Sequence, residues 1–457
     1  MKHVAGDGVD RLSIRLGMVS FSAALGGFLF GFDWVVIGGA KPFYESYFGI
    51  GDRAVLQATA MSAALLGCLG GVVINGCLVD RIGRRPLMMV SAILFLLSSL
   101  GTAISLTLGQ FIIARWVGGV GIGLASILTP VYIAEIAPAS MRGRLVAIYQ
   151  LAIVIGIVCA QTSNWFLADA TGPTWVWRWM FAVEAIPAVT YVLLTFLIPE
   201  SPRWLISRGR TRQAAEISRR LTGSDPPDEI SEPLNPYVST AYAPTQPVTR
   251  LSNDRVNRRA LKLGIALVVF QQWCGINVIF NYAEEVFGDV GYSIDAVLGS
   301  IVATGVINLV GTIVAVAMAD RWGRRSAILS GAAGLAIIHT LIGLCFATGV
   351  HGPPVLILVV VAIGTYAVTL APVTWIIVSE IFAGHQRGRS TSICVFFLWT
   401  ACVLLTFTFP LFRRTLGEAA TFGLYAANCL LGFTFFYKYL PETKGQTLEA
   451  IEDLLAT

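Results

Sequence analysis

The sequence predicts an all-α membrane protein with twelve transmembrane helices, on three observations. Of its 457 residues, 55% are hydrophobic and only 13% are charged, against roughly 25% charged in soluble domains. Apolar segments of about 20 residues, long enough to cross a bilayer as a helix, recur along the whole chain. Several polar signatures of the first half also return in the second. We therefore predict two six-helix repeats joined by a central cytoplasmic loop.

The apolar segments define the predicted spans and the organisation of the chain. The twelve candidates are residues 16–39, 55–79, 86–107, 110–133, 144–167, 177–198, 260–285, 295–319, 326–348, 354–381, 390–411 and 419–440. The first has no small-residue cleavage site, which indicates a retained helix and not a signal peptide. The predicted units are an N-terminal half at 1–200, a cytoplasmic loop with short helices and a Pro-rich linker at 201–258, a C-terminal half at 259–440 and a cytoplasmic tail at 441–457.

Basic residues orient the predicted spans. The connections after even-numbered spans carry clusters of arginine, among them Arg84, Arg142 and Arg324. The opposite loops are nearly bare, and their few basic residues are Lys41, Arg53, Arg413 and Arg414. Because positively charged loops stay in the cytoplasm, both termini are predicted to be cytoplasmic.

The composition also excludes several classes of protein. The net charge of +5 is scattered in short clusters, so we expect no nucleic-acid partner. The eight cysteines form no C-x-x-C pair and lie in or beside apolar segments, where small buried hydrophobes are the expected use. We expect no metal, no cofactor and no catalytic residue, and a soluble enzyme with a single membrane anchor is excluded.

An internal repeat indicates two copies of one six-helix unit. "DRIGRR" begins at Asp80 and "DRWGRR" begins at Asp320, 240 residues later, and "PESPRW" returns as "PETKG" after a similar interval. Parallel six-helix halves with a site between them are the architecture of major facilitator transporters. We predict a cytoplasmic gating network that locks the two halves together. Its members are Asp80, Arg84, Glu135, Arg142, Glu200, Arg203, Asp320, Arg324, Glu380, Arg387 and Glu442. The alternative is that they only anchor the loops and form weak surface pairs.

Eight motifs in order resemble the sugar porter family of the major facilitator superfamily, over essentially the whole chain. They include "GFDWVVIGG" in the first span, "YIAEIAPASMRGRL", "QQWCGIN" in the seventh, "VSEIFAGHQRGR" and "PETKG". The resemblance implies a secondary active transporter, not an enzyme. It would import a monosaccharide, a hexose or a pentose, by alternating access in a bacterial inner membrane. We expect a functional monomer whose partners are the sugar and the lipid bilayer.

The resemblance also implies a sugar site, at Gln150, Gln271, Gln272, Asn277, Asn308 and Trp375. The chemistry agrees, because amides both donate and accept hydrogen bonds as sugar hydroxyls do, and an indole offers a flat apolar face. Hydrogen bonding between helices is the alternative for a lone amide. The chain departs from relatives at Ala371, Leu398 and Asn281, so the identity of the sugar stays open.

Three charged residues within apolar spans suggest proton coupling. Asp33 lies about 9 Å from the predicted outer end of the first span, and Arg115 about 7.5 Å from that of the fourth. Charges inside a membrane need partners, so we predict that these two pair, with Glu184 as a third buried charge. Protonation of Asp33 would weaken the pair and let the loaded protein rock inward, which makes the chain a proton and sugar symporter. The co-transported proton is the only other species required.

Other functions stay open as interpretations of the sequence. The similar mammalian glucose facilitators have Asn at the position of Asp33, so a passive uniporter is the main alternative, and Asp33 with Arg115 would then be a structural ion pair. A polyol or inositol symporter fits the same amides. A sugar sensor would need a longer signalling extension than the tail after Leu440.

Overall fold

A computed structural model describes residues 3–137, 142–170, 175–222, 255–282, 294–318, 322–350, 352–382, 387–444 and 446. All regular secondary structure in these ranges is helical. The first nine helices are α1 (His3–Phe48), α2 (Ala54–Ile82), α3 (Arg84–Ala103), α4 (Leu108–Ile136), α5 (Arg142–Ala170), α6 (Val176–Ala182), α7 (Ala185–Thr195), α8 (Pro202–Ser207) and α9 (Thr211–Thr222). The other eight are α10 (Arg255–Trp273), α11 (Ile276–Asn281), α12 (Ile294–Met318), α13 (Arg324–Ala347), α14 (Pro353–Val368), α15 (Leu370–Glu380), α16 (Arg387–Leu416) and α17 (Glu418–Tyr439).

The predicted membrane protein is confirmed, with twelve spans long and apolar enough to cross a bilayer in the described part of the chain. The sixth span consists of α6 and α7, the seventh of α10 and α11, and the tenth of α14 and α15. The largest difference is in the first span, which was predicted to end at residue 39 but continues as α1 to Phe48. Its last turns remain helical through Lys41 and Glu45, which form an ion pair at 3.4 Å across one turn.

Three spans are interrupted, and each break has a residue that explains it. Pro187 has no N–H for the carbonyl of residue 183, and the chain turns between α6 and α7. Pro372 likewise has no N–H to donate to the carbonyl of residue 368. α14 therefore ends at that residue, and α15 begins after Thr369. Between α10 and α11, Gly275 adopts the left-handed conformation, with φ +91°. Predicted sugar-site residues lie beside the second and third of these breaks.

Glycines bring α2 and α4 into backbone contact. A Cβ atom at Gly67 or Gly71 would collide with main-chain atoms of α4, and one at Gly119 or Gly123 would collide with main-chain atoms of α2. The two pairs are each four residues apart, so they lie on one face of each helix. This small-residue packing is typical of membrane helices, where close approach replaces the hydrophobic effect as the source of association. It fixes α4, which carries Arg115.

The central connection begins with two short helices, α8 and α9. Ser201 caps α8 by accepting a hydrogen bond from the Trp204 amide at 3.3 Å. The indole of Trp204 donates to the Asp80 carbonyl at 2.9 Å, which attaches α8 to the end of α2. The Pro-rich linker predicted within 201–258 corresponds to residues 223–249, which lie outside the described residues.

Candidate functional site

Asp33 and Arg115 form the predicted ion pair, and it is buried. Their side chains are each 1% exposed, and Arg115 Nη1 contacts Asp33 Oδ1. A second guanidinium nitrogen, Nη2, donates to the main-chain carbonyl of Asp33 at 3.0 Å. The pair therefore joins α1 to α4 through two contacts. Phe181 of α6 covers the guanidinium, with its ring centroid 5.3 Å from Arg115 Cζ.

Glu184 is the third charged group of this cluster. It lies at the break between α6 and α7, is 1% exposed, and interacts electrostatically with both Asp33 and Arg115. Neither of its carboxylate oxygens, nor Asp33 Oδ2, has a hydrogen-bond partner among the described residues. Two buried carboxylates thus lie near one guanidinium, which contacts only Asp33 directly. A buried charge without a partner is costly, and uptake of one proton would balance this cluster.

Three of the predicted sugar-site amides form a chain of hydrogen bonds across the seventh span. Asn277 Nδ2 donates to Gln272 Oε1 at 2.5 Å, and Gln272 Nε2 donates to Gln271 Oε1 at 3.4 Å. Gln271 Nε2 lies 3.3 Å from the carbonyls of Leu370 and Ala371, just after the break in the tenth span. The two interrupted spans are therefore joined by amides that can also exchange these bonds for sugar hydroxyls.

The other predicted sugar-site residues lie on neighbouring helices. Asn308 is buried in α12, which packs against α5, and α5 carries the half-buried Gln150. Trp375 of α15 is 36% exposed, unlike the buried amides. The structure thus describes bonds that connect Gln271, Gln272 and Asn277 directly, whereas the remaining three are related to them by the packing of their helices.

Sequence reasoning missed two buried amides of α5. Gln161 is 2% exposed, and neither end of its amide has a partner among the described residues. A Cβ atom at Gly305 of α12 would collide with Gln161 Oε1, so the amide lies against that helix. Asn164 donates to the Val36 carbonyl at 3.0 Å and joins α5 to α1. Gln161 follows Gln150 by eleven residues, close to three helical turns, and this spacing could have identified it.

The repeated cytoplasmic motifs form equivalent contacts in the two copies. Glu200 accepts from the Arg84 main-chain amide at 3.0 Å, and Glu442 accepts from that of Arg324 at 2.8 Å. Each glutamate thus lies at the N-terminus of the helix after its D-R-x-G-R-R turn, where a carboxylate is favoured. The preceding glycines leave room for it, because a Cβ atom at Gly83 or Gly323 would collide with the carboxylate. Only Gly83 has a positive φ, at +101°.

Further ion pairs join these turns to neighbouring helices. Arg84 binds Glu135 through two nitrogens, at 2.9 and 3.1 Å, and lies 3.5 Å from Asp80. In the second copy, Arg324 lies 3.3 Å from Glu380. These contacts connect helices of the same repeat, so the predicted lock between repeats stays a prediction. Arg203 is half-buried in α8. Asp320 and the side chains of Arg142 and Arg387 lie outside the described part.

Several contacts between the two sets of six spans lie at the opposite, predicted outer end. Arg414, at the end of α16, donates to the main-chain carbonyls of Asp52 and Gly51 at 2.5 and 3.0 Å. The indole of Trp165 donates to Asp295 at 2.7 Å, which joins α5 to α12. A cavity of about 880 Å³ lies beside these contacts, and its charged lining residues are Lys41, Glu45, Arg413, Arg414 and Glu418. Three of the four basic residues on this side, Lys41, Arg413 and Arg414, thus form side-chain contacts.

Comparison with known proteins decides the family. The family model "Sugar (and other) transporter" matches residues 19–455. The chain belongs to this sugar transporter family. Family members with similar sequences are transporters, which confirms the prediction of a transporter and not an enzyme.

Two relatives within the family match nearly the whole chain. The glucose transport protein of Synechocystis sp. is 38% identical over 457 residues, covering 94% of this chain and 96% of the relative. The D-xylose-proton symporter of Escherichia coli K12 is 35% identical over 474 residues, covering 95% of both chains. A solved structure of the xylose transporter XylE from E. coli, in a partially occluded inward open conformation, has a TM-score of 0.82 at 32% identity. It covers 95% of this chain and 100% of that chain. The predicted major facilitator fold is confirmed.

Proposed function

We propose that this chain imports a monosaccharide together with a proton by alternating access. The observation that carries the proposal is the buried pair of Asp33 and Arg115 with Glu184 beside it. A passive carrier needs no ionisable group inside the membrane, where a charge is expensive and marks function by default. The relatives named for D-xylose-proton and arabinose-proton symport support the same conclusion.

The charge balance of the cluster gives the coupling step. With all three groups ionised, the site carries one excess negative charge, and one proton neutralises it. Protonation of Asp33 weakens its attraction to Arg115, so α1 and α4 separate more easily and the loaded halves rock inward. Release of sugar and proton inside restores the ion pair. One proton moving through 100 mV supplies roughly 2.3 kcal/mol, which corresponds to about fiftyfold accumulation of sugar.

The proposed sugar site is the amide chain of Gln271, Gln272 and Asn277, completed by Gln150, Asn308 and Trp375. A sugar that enters would replace the bonds between amides with bonds to its own hydroxyls, which keeps each buried amide paired. The indole of Trp375 would cover the apolar ring face. We propose a hexose or a pentose as substrate, because both present a ring with several hydroxyls.

The direct test is sugar-driven proton uptake by the purified protein in proteoliposomes. Glucose, xylose, arabinose, galactose and inositol would be added singly, while internal acidification and sugar accumulation are recorded. We expect at least one sugar to carry protons inward and to accumulate when a proton gradient is imposed. Sugar entry that reaches only equal concentrations on both sides, with no proton movement, would establish a passive facilitator instead.

Substitution of Gln272 with leucine tests the sugar site. The change removes the acceptor of the Asn277 bond and a partner of the sugar, and a lost bond in a buried site costs roughly 1–3 kcal/mol. We expect the sugar dissociation constant to rise about tenfold or more, measured by equilibrium binding to purified protein. Gln57→Leu is the matched control, because Gln57 is also a buried amide but bonds Glu45 at the outer end. Equal affinity losses in both variants would argue against the site.

The orientation and the gating network are also proposals. We place both termini in the cytoplasm of a bacterial inner membrane, supported by the arginine-rich even-numbered connections. The segment 201–258 would then be a cytoplasmic loop between halves 1–200 and 259–440, followed by the tail at 441–457. The repeated acids and arginines would lock the cytoplasmic side when the outer side opens. The chain is proposed to work as a monomer, since one copy contains the whole site.

A further inference from the structure

The break in the seventh span exposes main-chain groups deep in the protein. α10 ends at Trp273, and α11 begins at Ile276, with Gly275 in the left-handed conformation between them. The last carbonyls of a helix lack the amide partners that a continuous helix would provide. In a membrane protein, such groups must be satisfied by neighbouring helices. The carbonyls of Trp273 and Cys274 are therefore expected to have side-chain partners.

Two other helices supply these partners. Asn428 Nδ2 of α17 donates to the Trp273 carbonyl at 2.8 Å. His339 Nε2 of α13 lies 2.8 Å from the Cys274 carbonyl. A carbonyl oxygen only accepts, so Nε2 carries the hydrogen in this bond. The break is thus attached at two consecutive residues to two helices outside the seventh span.

Packing holds the imidazole of His339 in this position. His339 is fully buried, and its ring centroid lies 5.9 Å from that of Phe422 and 6.1 Å from that of Tyr425. A Cβ atom at Gly275 would lie 2.8 Å from His339 Nε2 and 3.0 Å from Tyr425 Cγ. The imidazole therefore presses directly on the backbone of the break, and glycine is required there for both space and conformation.

The break separates the amides of the candidate sugar site. Gln272 comes two residues before Cys274, and Asn277 comes three residues after it, yet their side chains bond each other at 2.5 Å. The direction in which α11 leaves the break therefore sets the distance between these two amides. A binding site that loses about 1 Å of alignment loses much of its activity.

We propose that His339 and Asn428 are positioning residues for sugar binding, which fix the break so that Gln272 and Asn277 meet the sugar together. The inference rests on the proposed function and extends it to two residues that do not touch the sugar. It assigns a role to a buried histidine that lies outside both the proton-coupling cluster and the amide site.

The test compares His339→Leu with His339→Gln in the purified full-length protein. Leucine removes the imidazole donor and leaves the Cys274 carbonyl only the weak thiol donor of Cys429, at 3.5 Å, whereas the glutamine amide can still donate to this carbonyl. We expect the dissociation constant of the best-bound sugar to rise about tenfold in His339→Leu and to stay within roughly threefold in His339→Gln. Asn428→Leu should weaken binding in the same direction. Because both residues hold one element, the double variant should lose less than the product of the two single effects.

Thermal unfolding and a neighbouring control separate positioning from simple core packing. Thr340→Val, at an exposed position of the same helix that bonds only within α13, should bind sugar as the wild type does. Wild-type affinity in His339→Leu would refute the inference. The inference would also be refuted if the leucine and glutamine variants lost the same affinity and if these losses ran parallel to the decrease in their unfolding temperatures. If the wild-type protein binds no sugar of the panel, the proposed function itself fails, a result distinct from either of these.

Discussion

Asp33→Asn is expected to abolish uphill sugar accumulation while preserving exchange of sugar across the membrane. Asparagine keeps the shape of the side chain but cannot take up and release a proton. The imposed proton gradient can therefore no longer drive sugar transport. The accumulation ratio in proteoliposomes should fall from about fiftyfold at 100 mV to near one. Counterflow of labelled against unlabelled sugar, which needs no coupling, should continue.

The matched control for this variant is Asp52→Asn. It makes the same chemical change at an exposed aspartate in the loop between α1 and α2, away from the buried cluster. Accumulation should remain at the wild-type level in this control. Uphill accumulation that survives in Asp33→Asn would reassign the pair of Asp33 and Arg115 to a structural role, and proton coupling would then need another group.

Arg115→Leu is expected to cause the largest loss of stability. It leaves the carboxylates of Asp33 and Glu184 buried together without the guanidinium, and removal of one partner from a buried pair costs about 3–5 kcal/mol. The unfolding temperature in detergent should fall substantially. Because apolar pairs can replace buried ion pairs at little cost, adding Asp33→Leu should recover part of the stability, with Glu184 still lacking a cation, but it should not recover accumulation.

Arg178→Leu provides the comparison for this effect. Arg178 is also buried and stacks on Trp177 at 4.3 Å, but its guanidinium donates to the Ala103 carbonyl and not to a carboxylate. Its removal should therefore cost only about 1–3 kcal/mol, and a second substitution at Asp33 should not compensate it. Similar losses in the two arginine variants, with no rescue by Asp33→Leu, would contradict the assigned pairing.

Prediction from the sequence succeeded for features that a physical rule imposes on many residues at once. Length and hydropathy located all twelve spans, because each must satisfy the same membrane thickness. The cost of a buried charge predicted that Asp33 and Arg115 would meet, although α1 extends nine residues beyond the predicted end of the first span. The error in the helix end did not matter, since both residues remain inside the bundle.

Prediction failed where a single residue acts through one contact. Asn164, His339 and Asn428 each bond one main-chain carbonyl of another helix, and an isolated amide or imidazole in an apolar run carries no period that reveals its partner. The breaks at Gly275 and Pro372 were visible as residue types, but glycine and proline are common in membrane helices. Only the packed structure shows which of them interrupt a helix and what satisfies the freed carbonyls.

The contact between Arg414 and the loop that joins α1 to α2 tolerates sequence change on one side only. Its acceptors are the main-chain carbonyls of Gly51 and Asp52, not their side chains. The contact therefore does not depend on the side chains at these two positions, as long as the backbone path of the loop between α1 and α2 is kept. Arg414 contributes the only side chain to this contact, so a single substitution there is expected to remove it and to leave the bond between Trp165 and Asp295 as the remaining described hydrogen bond between the two sets of spans at this end.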